Sequence, residues 1–148
     1  MIQNQALLAG VVSLTLAQLI KFFSVLIRQG KIDIRTLVTT GGMPSSHTGL
    51  VVGLTTTVGF LHGFHSTLFD VSTVFAFVVM YDAAGVRQAA GRQARVLNKI
   101  VEELQHSLSF KESHLKELLG HTPREVIGGA ILGVAVAFAI NALNAGVH

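Results

Sequence analysis

Residues 6–27, ALLAGVVSLTLAQLIKFFSVLI, decide the fold. Only Ser13, Thr15, Gln18, Lys21 and Ser24 interrupt the apolar run. As a helix at about 1.5 Å per residue it is roughly 33 Å long, enough to cross the hydrocarbon of a bilayer. Lys21 lies near its end, within snorkelling reach of the interface. Residues 1–5 carry no Lys or Arg, and the run is longer than a signal-peptide core. The block therefore reads as a span and not as a cleaved leader.

The remainder of the 148 residues repeats this character. Half of the chain is hydrophobic, 13% is charged, and the mean hydropathy is +0.58. Soluble domains carry about twice that charge. After a basic stretch from Arg28 to about Thr40, a second apolar block covers Thr48–Phe64. It is short for a span unless it starts at Ser45. A tight turn near Gly63–Ser66 leads to a third block, Leu68–Val86. That block turns polar without a helix breaker, so one long helix is expected to leave the membrane and end near Gln105. Residues 106–122 form a polar connection. Pro123, placed as helices prefer in their first turn, opens a last block from Val126 to about Ala145. The fold class is all-α: an integral membrane bundle of about four transmembrane helices, with residues 1–148 as one domain. Gly49-x-x-x-Gly53 and Gly129-x-x-x-Gly133 read as close helix packing, and spans of this kind also pair into homo-oligomers.

There is no cysteine, hence no disulfide and no thiolate chemistry. The net charge of +3 points to anionic lipid headgroups and not to nucleic acid. Lys and Arg gather in two connections: Arg28, Lys31 and Arg35 after the first span, and Arg87, Arg92, Arg95, Lys99, Lys111, Lys116 and Arg124 between the third and fourth. By the positive-inside rule both lie on the cytoplasmic side.

That topology gathers chemistry at one membrane face. GGMPSSH, residues 41–47, precedes span two, and His121 and Glu125 precede span four. Lys21 and Arg28 leave span one; Arg87 and Arg92 leave span three. A Gly/Ser turn aims backbone N–H groups at an anion. An imidazole beside it transfers protons near neutral pH. Two helix N-termini add positive dipole ends at the depth of a lipid phosphate. Taken singly, these residues have plainer readings. Lys21 and Arg28 suit interfacial anchors, Ser45 and Ser46 suit a helix cap, and His121 with Glu125 suits a helix-start charge pair. Asp82, at the end of span three, is expected to face protein with a basic partner such as Arg87 or Arg92. His62, His65 and His106 have no matching constellation and read as surface residues.

The order Lys21-x6-Arg28, Pro44-Ser45-Ser46-His47, His121-x3-Glu125 resembles the type-2 phosphatidic acid phosphatase and vanadium haloperoxidase superfamily. Its motifs are K-x6-R-P, P-S-G-H and S-R-x5-H-x3-D. The text GGMPSSH, YDAAGVRQAAGRQA and LGHTPREVIGG is similar to its divergent bacterial and plant branch. Four positions depart from the pattern. Gln29 stands for the proline, Ser46 for the glycine, Glu125 for the aspartate, and Leu115 where the third motif has its arginine. Arg87 or Arg92, delivered from span three, would substitute for that arginine.

The resemblance implies hydrolysis of a lipid phosphate monoester or diphosphate in a bacterial cell membrane, with no metal and no other cofactor. His121 would be the nucleophile, Glu125 its orienting carboxylate and His47 the acid and base. Lys21, Arg28, Ser45 and Ser46, with Arg87 and Arg92, would bind the phosphate. A non-catalytic protein that holds anionic lipid or phosphate at the same place is the alternative. A small transporter using Lys21 and Asp82 ranks lower, because four short spans leave little room for a pathway. Haloperoxidase chemistry also ranks lower.

Overall fold

The structure, a computed structural model, describes residues 4–30, 42–105 and 120–145. Helix α1 spans Gln5–Gln29, α2 Ser46–His62, α3 Thr67–Tyr81, α4 Arg87–Gln105 and α5 Pro123–Ala145. A π-helical segment, Asp82–Val86, joins α3 to α4 without a break. The expected long third helix is thus one rod from Thr67 to Gln105, with a π segment that the hydrophobic pattern does not signal. Of the expected connection 106–122, residues 106–119 lie outside the described residues.

Three helices are long and apolar enough to cross a membrane: Gln5–Ile27, Thr67–Glu102 and Pro123–Ala145. The helical membrane bundle is as expected, and α2, the expected second span, is its shortest apolar member apart from α3. Helix α2 begins at Ser46, just after its cap Ser45, and ends at His62, just before its C-cap Gly63, giving 17 residues, or about 25 Å against a hydrocarbon core of about 30 Å.

The short helix is also the central one. α2 packs against α1, α3 and α5. Burial on several sides explains its run of small and polar residues: Ser46, Thr48, Gly49, Val51, Gly53, Thr55, Thr57 and Gly59 are buried. On α1 the seam toward α2 is a stripe at four-residue spacing, with Gln5, Ala9, Ser13, Ala17 and Lys21 all buried. In lipid, helices associate through close packing and not through hydrophobic expulsion, so small residues line such seams. Two glycines of α5 are obligatory for this. A Cβ on Gly129 would overlap the Ser45 carbonyl oxygen and lie 2.9 Å from Thr48 Cβ. One on Gly133 would lie 2.8 Å from both Gly49 O and Gly53 N. The Gly-x-x-x-Gly segments therefore act as packing seams.

At one end, α2, the Gly63–Ser66 turn, α3 and α5 are tied by edge-to-face aromatic pairs: Phe60–Phe64, Phe64–Phe69 and Phe60–Phe138, at 5.6, 5.1 and 4.9 Å between centroids. Ser66 caps α3 by accepting the Phe69 N–H. The outward side chains of α3, including Val71, Val74, Phe75 and Val78, are exposed, as lipid contact requires. The opposite end of the bundle collects the C-terminal ends of α1 and α3 and the N-terminal ends of α2 and α5.

Candidate functional site

Ser45 begins the site. It is completely buried and N-caps α2: its Oγ accepts the Thr48 N–H at 3.3 Å and the Thr48 hydroxyl at 3.1 Å. Its backbone N–H donates to the Glu125 carbonyl at 2.9 Å. This bond sets the N-termini of α2 and α5 side by side. Two parallel helix dipoles then direct positive ends to one place, an arrangement that favours an anion.

Lys21 enters from α1. The sequence allows a snorkelling anchor, but the side chain is only 5% exposed and turns inward. Its position at the last step of the small-residue stripe aims it along the seam. Its Nζ donates to Ser46 Oγ at 3.2 Å, and the Glu125 carboxylate attracts it electrostatically. Ser46, which stands where the superfamily motif has glycine, thus acquires a partner that glycine lacks.

His121 and Glu125 are built by a capping box. The segment Thr122-Pro123-Arg124-Glu125 has the T-x-x-E form of a helix start. Glu125 N–H donates to Thr122 Oγ1 at 3.4 Å, and Thr122 N–H donates to Glu125 Oε2 at 3.3 Å. The same Oε2 lies 2.9 Å from His121 Nδ1. The i, i+4 contact therefore does not come from a helical turn, since His121 precedes α5. It comes from the cap. The T-x-x-E pattern was readable in the sequence and carries this geometry.

His121 is 1% exposed. Its backbone N–H donates to the Ala83 carbonyl at 2.9 Å, inside the π-helical segment. A π turn shifts the hydrogen-bond register, and such turns recur at functional sites. Here the segment anchors the nucleophile candidate to the third span. Nothing in the periodicity of 68–86 indicates it.

The His47 and His121 rings are 6.1 Å apart between centroids and inclined at 57°. At this separation both imidazoles can reach one small group held beside them. With Nδ1 engaged by Glu125, the outward role falls to His121 Nε2, as in triads where a carboxylate fixes the tautomer.

Residues 2–136 match the family described as the Divergent PAP2 family. The chain belongs to that family. It is also 38% identical over 151 residues to the uncharacterized membrane protein YuiD of Bacillus subtilis, covering 95% of this chain and 96% of that protein. No solved structure matches it. In this divergent PAP2 chain the three motif regions, far apart in sequence, supply Lys21, Ser45, Ser46, His47, His121 and Glu125 to one end of the bundle. Arg28 lies in the last turn of α1 and Arg87 at the first position of α4, with side chains outside the described residues. Arg92 lies on α4 and is exposed. Asp82 is half-buried and opens the π segment. His62 and His65 are exposed at the far end, while His106 and Leu115 lie outside the described residues. Among the described residues, no three His, Asp or Glu side chains are grouped to hold a metal ion.

Proposed function

We propose that this protein hydrolyses a lipid phosphate monoester or diphosphate through a phosphohistidine, at the cytoplasmic face of the membrane. The 6.1 Å separation of the His47 and His121 rings carries the reading, with the 2.9 Å bond from His121 to Glu125 behind it. His121 Nε2 attacks phosphorus, and the bond from phosphorus to the lipid oxygen breaks. His47 delivers a proton to the departing oxygen, an alkoxide from a monoester or the lipid monophosphate from a diphosphate. In the second step His47 takes a proton from water. The hydroxide attacks phosphorus, the P–N bond breaks, and inorganic phosphate leaves with His121 restored.

Glu125 orients the imidazole and stabilises its positive charge. Lys21, the N–H groups at the start of α2, and Arg28, Arg87 and Arg92 neutralise the equatorial oxygens. The location of Lys and Arg along the chain supports the cytoplasmic assignment. The test is phosphate release from phosphatidate, phosphatidylglycerol phosphate and a prenyl diphosphate by the purified protein in EDTA. Turnover that His121→Ala abolishes is expected. Folded protein with saturable vanadate binding and no turnover on any of the three would instead establish a non-catalytic phosphate-binding protein.

A further inference from the structure

A second feature faces the membrane between α2 and α3. It is a cavity of about 190 Å³ walled by Val52, Thr55 and Thr56 of α2 and by Thr73, Ala76 and Met80 of α3. The Thr55 hydroxyl donates to the Ser72 carbonyl at 3.0 Å and pins the two helices together along it. Phe64 and Phe69, from the aromatic knot at the far end, also line it.

One end of the cavity lies toward the histidine site. Met80 lies one turn before Ala83, whose carbonyl holds the His121 backbone. Val52 lies six residues down the helix that Ser45 caps, a rise of about 9 Å. The lining runs along α3 from Met80 to the aromatic residues at the far end.

We propose that this groove binds one hydrocarbon chain of the lipid whose phosphate occupies the histidine site, an inference that rests on the phosphatase reading. The groove makes chain length a determinant of substrate choice. A chain too short to descend about 9 Å gains nothing from it. A chain of membrane length gains the burial of its middle methylenes. The second chain of a diacyl lipid stays in the bilayer. Thr56, Thr73 and Ala76 are the specificity-determining positions, since bulk added there fills the groove without touching the histidines.

Two measurements test this in detergent-solubilised full-length protein. The first compares kcat/KM for hexadecyl phosphate and butyl phosphate in the native protein, Thr56→Phe and Thr73→Phe. The long-to-short ratio should fall at least tenfold in each variant, with butyl phosphate turnover unchanged. An unchanged ratio in both folded variants overturns the proposal. The second uses hexadecyl phosphate bearing a diazirine near mid-chain, with labelled residues mapped by mass spectrometry. Labels confined to 52–56 and 73–80 support the groove. Labels spread over the outer faces of α1 and α5 overturn it, as does equal labelling of the groove by the same chain lacking phosphate. The second measurement needs no turnover, so failure of the phosphatase reading and failure of the groove are separately visible.

Discussion

The backbone N–H of Ser45 donates to the carbonyl of Glu125 at 2.9 Å, although 80 positions separate the two along the chain. This bond makes one site of two helix starts. It fixes the cap of α2 against the capping box of α5, and with them His47 against His121. Gly129 permits the approach, because any side chain there would strike the Ser45 carbonyl.

Gly129→Ala is therefore expected to cost more than an ordinary helix substitution. Overpacking of a tight contact costs about 1–3 kcal/mol. Thermal unfolding in detergent should show a lowered midpoint. Activity should drop further than stability alone explains, since the added methyl group separates the two helix starts.

Glu125→Gln separates structure from chemistry. Glutamine also serves a capping box, so the loss of stability should stay below about 1 kcal/mol. The charge that steadies a developing imidazolium is gone, however, and kcat should fall by about two orders of magnitude or more. Circular dichroism melts and initial rates on a lipid phosphate check the two halves. Equal rates for the native protein and the variant would remove Glu125 from the mechanism.

Lys21 and Ser46 give a paired prediction. Ser46→Ala leaves a buried ammonium without its hydroxyl acceptor and should cost about 1–3 kcal/mol of stability. Lys21→Met should instead weaken vanadate or phosphate binding by at least tenfold, read by inhibition or calorimetry. Lys21→Arg is not expected to restore it, because a planar fork does not replace a compact ammonium in a buried seam.

His47→Ala should trap the intermediate. A substrate with a good leaving group, such as p-nitrophenyl phosphate, needs little protonation in the first step. Water activation in the second step still needs a base. A burst of nitrophenol followed by slow turnover is expected, with phosphate on His121 detected by mass spectrometry under alkaline conditions. A burst that survives His121→Ala would place the nucleophile elsewhere.

Thr122→Ala removes the half of the capping box in which Thr122 Oγ1 accepts the Glu125 N–H. About 1 kcal/mol of stability should be lost. A disproportionate fall in kcat would show that the cap positions the His121–Glu125 pair as well as starting the helix. Addition of a free carboxylate such as formate to this variant should not rescue the rate, since Glu125 is still present.

Several levels of this architecture are local and were legible in the chain. Apolar runs such as 6–27 and 126–145 specify helices in lipid, because in hydrocarbon each backbone group must find its partner within its own helix. The absence of a breaker after Val86 kept the third helix intact to Gln105. The motif residues and their order pointed to the family. Less legible was the length of α2, where capping at Ser45 and Gly63, and not hydrophobicity, sets the limits.

What the sequence by itself determined is the set of helices and the membrane environment, since both follow from neighbours within a few residues; the candidate site residues it offered came from the order of its motifs. Only the tertiary structure decided that Lys21 turns inward to Ser46, that a π turn at Ala83 holds His121, and that a groove opens between α2 and α3. These depend on which small-residue stripe meets which. Close packing in lipid selects that match through many weak contacts between distant residues, and no local pattern encodes their sum.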